Sequence, residues 1–194
     1  MPSEEKANKL LQLGIDLAKA GEVDEALKLF GEALDIVPGN PVVNYNCGLA
    51  QQQAGSIKAA VIAYRAAIKV LPEFTEARIN LSYALKLLGR FSEALEAAER
   101  AIQLDANEPS AWLAKGNALR GMHALGQAEE AFQAGVELAS TNGELKLSLA
   151  NTKRELGQVP EAIRLLREVS AEHPEFAEAH RDLAHALLLN GEYL

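Results

Sequence analysis

The chain has 194 residues and is 48% hydrophobic but only 5% aromatic, so its apolar content is mostly Ala and Leu, which suits thin, closely apposed helices. A net charge of -8 and a pI near 5.1 argue against general nucleic-acid binding, which needs a basic footprint. Cys47 is the only cysteine, which excludes an intramolecular disulfide; the charged start Met1–Lys6 lacks a signal-peptide core, and no apolar run approaches the roughly 20 residues of a membrane span, so a cytoplasmic protein is expected.

After a short charged lead, residues 1–6, the first structural unit is expected over residues 7–40. Leu13-Gly14, Leu17, Gly21, Ala26, Phe30, Ala33 and Pro38 describe one short helix, a glycine turn, a second short helix and a proline stop. The same spacing returns every 34 residues to the end of the chain. With Ala7 as position 1, position 20 is Ala26, Ala60, Ala94, Ala128 and Ala162. Position 8 is Gly14, Gly48, Ser82, Gly116, Ala150 and Ala184, and position 24 is Phe30, Tyr64, Ala98, Phe132 and Leu166. Position 15 is Gly21, Gly55, Gly89, His123, Gly157 and Gly191, and position 17 is apolar from Val23 through to Tyr193. Small residues at 8 and 20 let two antiparallel helices approach, and a large residue at 24 fills the space beside them. Glycine at 15 tolerates positive φ in the reversal, and proline at 32 (Pro38, Pro72, Pro174) ends the second helix. One such pair cannot bury its apolar face alone, so neighbours must stack.

These columns resemble the tetratricopeptide repeat (TPR) family, which carries small residues at 8, 20 and 27 and an aromatic at 24. The resemblance runs from Ala7 to Leu194. It implies an all-α fold, a right-handed α-solenoid of antiparallel helix pairs A and B. The repeats fall at 7–40, 41–74, 75–108, 109–142 and 143–176, with helix A of a sixth over 177–194.

Repeat 2 opens with Asn40-Pro41, an N-cap followed by proline in the first turn. It carries Cys47 at position 7, expected to be a buried small apolar residue. Repeat 3 has Ser82 at 8, Ala98 at 24 and Ala106 at the proline position, which predicts a thinner core. Repeat 4 has Trp112 at 4, Lys115 at 7 and His123 in place of the turn glycine. Gly121 and Gly126 flank that turn, so its path is expected to differ. Repeat 5 departs furthest, with Lys146 at 4, Lys153 at 11 and Val169 at 27. Its lysine stems are expected to lie on apolar surface with the ammonium groups outside. The junction between repeats 4 and 5 is therefore expected to be the loosest. In the final segment, Leu183, Leu187, Leu188 and Leu189 are expected to leave apolar surface uncovered.

Catalytic constellations are absent from the sequence. His180-Arg181-Asp182-Leu183 spells the start of a kinase catalytic loop, but Leu187 stands where its asparagine belongs. His180 and His185 are spaced wrongly for one helix face, and no HExxH occurs, so no metal, cofactor or catalytic residue is assigned. Binding remains. In the family that these repeats resemble, helix A lines a concave groove, chiefly through positions 2, 5, 6, 9, 12 and 13. Carried onto this chain, the peptide-binding residues are Tyr45, Asn46, Leu49, Asn80, Tyr83, Lys86, Asn117, Arg120, Asn151 and Arg154. Lys86, Arg120 and Arg154 share position 12 and are expected to form a cationic ladder for an extended acidic peptide. Position 12 also lies near the helix C-terminus, where the dipole favours cations without any ligand, and Tyr45 and Tyr83 equally suit packing between helices. The carboxylate clamp of some family members is not reproduced: its positions hold Leu11, Ile15, Asn46, Glu76 and Asn80.

The leading expectation is a non-catalytic scaffold that binds a peptide or partner protein in this groove, with no nucleic acid and no membrane span. An alternative rests on the ending, Ala179 to Ala184 and Leu187 to Tyr193, which looks like the repeat preceding the catalytic domain in bacterial TPR-containing glycosyltransferases. The chain would then be the substrate-docking arm of a larger enzyme. A second alternative is a self-assembling scaffold that associates through the C-terminal helix.

Overall fold

The computed structural model describes residues 2–191, which form eleven α-helices with no strand among them. They are α1 (Pro2–Lys19), α2 (Val23–Ile36), α3 (Pro41–Gln53), α4 (Ile57–Val70), α5 (Thr75–Leu87), α6 (Phe91–Leu104), α7 (Pro109–Gly121), α8 (Leu125–Leu138), α9 (Gly143–Glu155), α10 (Val159–Glu172) and α11 (Ala177–Leu189). Tyr193, assigned to position 17 of the last repeat, lies outside the described residues. The expected lead is not a separate segment: α1 begins at Pro2, and Ala7 is already buried within it.

The chain divides into two units, one ending at Arg90 and holding α1–α5, the other beginning at Phe91 and holding α6–α11. The division falls inside the repeat read as 75–108, between its two helices. Within each unit, helices adjacent in sequence pack against one another. All five alanines of position 20 have 0% exposure.

The glycines of position 8 are required by the rings beside them. A Cβ on Gly14 would lie 2.5 Å from Cε1 of Phe30, a buried ring, so only hydrogen fits there. Gly48 stands in the same relation to Tyr64, and Gly116 to Phe132. Both rings are fully buried.

Each helix A to helix B turn ends in one hydrogen-bonded pattern. Gly89 N–H donates to Lys86 O (2.9 Å) and Arg90 N–H to Leu85 O (2.9 Å), with Gly89 at φ +71°. This is a Schellman motif, in which a left-handed residue lets two late amides close on the helix end. The turn at His123 keeps the same path, contrary to expectation. His123 takes φ 60°, its N–H reaches Arg120 O at 3.0 Å, and Ala124 N–H reaches Leu119 O at 3.0 Å. Histidine is among the non-glycine residues that enter this region most readily. Gly121 has a separate role, because a Cβ there would strike the ring of Phe91. Nothing in the structure explains Gly126.

The lysines of repeat 5 depart from the expected snorkelling. Lys146 is only 7% exposed, and its Nζ donates to Glu172 Oε2 (2.7 Å) and Oε1 (3.0 Å) on α10. Lys153 pairs with Glu129 on α8 and donates to Gln158 Oε1 at 2.9 Å. Gln158 Nε2 in turn donates to Glu129 Oε2 (3.3 Å). The residues that made the junction of repeats 4 and 5 look loose are thus bonded, and the Lys153–Glu129 pair bridges it. On α11, Leu187 is buried rather than uncovered, while Leu188 and Leu189 are exposed.

Cys47 is buried, as its place in the repeat requires. Burial pushes its thiol up from 9.0 to about 11. The folded chain therefore holds this proton more tightly than the unfolded chain. The associated stability is intact below about pH 9 and is lost as pH rises toward the folded value. We expect a thiol reagent at about pH 8 to label Cys47 slowly in the native protein and at a rate that tracks unfolding in urea. Immediate stoichiometric labelling without denaturant would contradict this burial.

Candidate functional site

The helix A surfaces carry the residues assigned from sequence, and each unit is described separately. In the first unit, α3 starts firmly because Asn40 accepts hydrogen bonds from Val42 N–H (3.0 Å) and Val43 N–H (3.1 Å), with Pro41 in the first turn. This fixes Tyr45, which is half-buried. Its ring packs on Phe74 (centroids 4.9 Å apart) and Tyr64 (6.0 Å). Its hydroxyl accepts from Asn80 Nδ2 at 2.9 Å across to α5. Burial raises the Tyr45 pKa, the Glu76 carboxylate raises it further, and the Asn80 hydrogen bond works in the other direction. Tyr45 is therefore a neutral phenol joined to the packing between helices. Asn46 turns back on its own helix, Nδ2 donating to Val42 O at 2.8 Å. Leu49 and Val42 are exposed at 37% and 43%, an apolar pair on α3 open to a ligand. Tyr83 is half-buried. Lys86 is half-buried in the last turn of α5, and its side chain forms no hydrogen bond or ion pair among the described residues.

In the second unit, Asn117 and Arg120 lie on α7, both half-buried and both without a side-chain hydrogen bond or ion pair among the described residues. The next two residues behave differently. Asn151 Nδ2 donates to Asp182 Oδ2 (2.9 Å) on α11, and Arg154 Nη2 donates to Asn151 Oδ1 (3.3 Å). Arg154 Nη1 lies 3.1 Å from Nδ1 of His185, which must be the acceptor because a guanidinium only donates. Arg181 Nε completes the chain of contacts at Asp182 Oδ1, 3.1 Å away. Arg154 Nε is buried without a partner.

The sequence-derived set therefore divides, with Asn46 bonded to its own helix and Tyr83 half-buried on α5. Tyr45 and Asn80 are brought together by a bond that ties α3 to α5, whereas Asn151 and Arg154 are bonded within α9 and reach α11 through Asp182 and His185. Lys86, Asn117 and Arg120 keep their polar groups uncommitted, and Leu49 keeps its apolar one. Asp182 was missed. It occupies position 6 of the last repeat, where earlier repeats have Gln12, Asn46 and Asn80, so its register was the available signal. Among the described residues, no group of three His, Cys, Asp or Glu side chains is arranged to hold a metal ion. No helix there is long and apolar enough to cross a membrane.

Helix hairpins in register, with small residues at the close approaches and polar groups along the A helices, define a repeat protein of the α-solenoid class. The chain belongs to the tetratricopeptide repeat family, whose sequence model matches residues 11–72, 45–109, 79–143 and 147–194. Proteins of this family mediate protein–protein interaction. No curated protein matches the chain in sequence. Among solved structures, a thermophilic TPR protein from Thermus thermophilus is similar at 22% identity and TM-score 0.77, over 94% of this chain and 99% of that one. Pseudomonas aeruginosa pilF is similar at 18% identity and TM-score 0.85, over 99% of this chain and 87% of its own. YrrB, described as a TPR protein with an unusual peptide-binding site, is 20% identical with TM-score 0.71 and 89% of both chains covered. These likenesses establish the fold.

Proposed function

We propose that the protein is a non-catalytic interaction scaffold whose A helices take an extended acidic peptide or the equivalent segment of a partner protein. The observation that carries this reading is made once in each unit, at Lys86 in the first and at Arg120 in the second. Both are half-buried cations at position 12, and neither has an internal counter-charge among the described residues. The helix C-terminus accounts for a preference for positive charge at that place. It does not supply the carboxylate that a half-buried guanidinium favours. Leu49 and Val42 offer exposed apolar side chains on α3. Arg154 is a poorer ligand group because Asn151 and His185 already hold it.

The test uses a labelled extended peptide alternating leucine and glutamate, with affinity read by fluorescence anisotropy. Lys86→Glu combined with Arg120→Glu is expected to weaken binding about tenfold or more, which corresponds to about 1.4 kcal/mol, while circular dichroism stays unchanged. Unchanged affinity would return both residues to helix-end capping and remove the reading. Arg154→Glu is unsuitable as a probe, since it places a carboxylate in the network that contains Asp182.

A further inference from the structure

Position 7 is Leu13, Cys47, Leu81, Leu149 and Leu183 in the other repeats, and lysine only at Lys115. In α7 that exchange has a visible result. Lys115 Nζ pairs with Glu99 of α6 at 3.2 Å and stands 5.8 Å from the centroid of the Trp112 ring. Beside it lies a cavity of about 210 Å³, which Lys115 itself helps to line. Trp112, Leu95 and Leu119 give it apolar walls, and Glu99, Glu130 and Lys115 surround them with charge. Trp112 is held in place because its Nε1–H donates to Ala106 O at 2.8 Å. Two carboxylates against one ammonium leave a net negative charge beside an indole. That is the complement of a flat cation on an alkyl stem.

We propose that this cavity is a second docking site, for an arginine side chain presented by a partner protein. The alkyl stem lies along Leu95 and Leu119, and the guanidinium meets Trp112 and the carboxylates of Glu99 and Glu130. Lys115 is the resident competitor for the same groups. The stripe Trp112, Lys115, Leu119 lies on a different side of α7 from Asn117 and Arg120, as the 100° per residue of a helix dictates. The site is therefore independent of the acidic-peptide surface, and the scaffold would join two partners of opposite charge.

Trp112 is the only tryptophan, so its emission reports on the cavity directly. The probe is the blocked peptide acetyl-Gly-Arg-Gly-amide, with norleucine in place of arginine as the control. We expect a saturable change in Trp112 emission at about millimolar arginine peptide and a response at least about fivefold weaker to the control. Lys115→Leu removes the competing ammonium, should fold normally, and is expected to strengthen the response about threefold or more. Glu99→Gln with Glu130→Gln is expected to weaken binding about tenfold, whereas Arg120→Glu leaves it unchanged. Equal responses to the arginine and norleucine peptides, a weakened response in Lys115→Leu, or sensitivity to Arg120→Glu would each overturn the proposal.

Discussion

Phe132→Ala is expected to remove about 4 kcal/mol of stability, the loss typical of emptying a buried aromatic site. The ring is fully buried, and it lies against Gly116, where a Cβ would run into Cε1, Cδ1 and Cζ. Gly116→Ala should therefore destabilise from the other side, by about 2 kcal/mol, because the ring has no free volume into which to retreat. The two substitutions share one cause, so their effects should not add. In the Phe132→Ala background the new Cβ meets no ring, and Gly116→Ala should cost little. Urea denaturation of the two single variants and the double variant checks this. Simple additivity would show that the glycine is required for some reason other than the ring.

Lys146→Glu should be nearly as damaging, at about 4 kcal/mol, because it sets a third carboxylate beside two others at a buried position. Lys146 Nζ lies 2.7 Å from Glu172 and 3.8 Å from Glu168, and the lysine is 7% exposed. Lys146→Met keeps the stem and removes only the charge. Glu172 is 44% exposed at its side chain, so water can take over its solvation, and the expected loss is about 1 kcal/mol or less. Thermal melting of both variants separates charge from volume. Equal losses would mean that the ion pair has no part in holding α9 to α10.

The parts of the fold that were legible in the sequence are those set by repeated close contact. Ala26 and its four successors, Gly14 with Phe30, and Pro38 after α2 recur because backbone approach and helix termination tolerate few residue types at a fixed spacing. What escaped were pairings between residues whose separation carries no signature. Lys146 and Lys153 read as irregularities, since nothing marks Glu172 or Glu129 as partners on other helices. His123 read as a turn of different path, although its backbone could adopt the glycine conformation. At the candidate site, Lys86 and Arg120 were legible as a column. That Arg154 is held by Asn151 and His185 was not, because the partner residues come from different turns and helices.

Position 4 of helix A shows how such an array can drift in sequence without drifting in shape. Arg78 donates to Pro72 O (2.7 and 3.0 Å), Trp112 to Ala106 O (2.8 Å), and His180 Nε2 reaches Pro174 O (3.2 Å). In each case the recipient is the carbonyl six residues earlier, in the loop that follows helix B. A guanidinium, an indole and an imidazole have little in common beyond an N–H at the right reach. In these three repeats the loop accepts a bond direction and not a contour, whereas Asn44 and Lys146 in the same column bond Asn40 O and Glu172 instead; a purely hydrocarbon side chain in place of Arg78, Trp112 or His180 would leave that carbonyl to water.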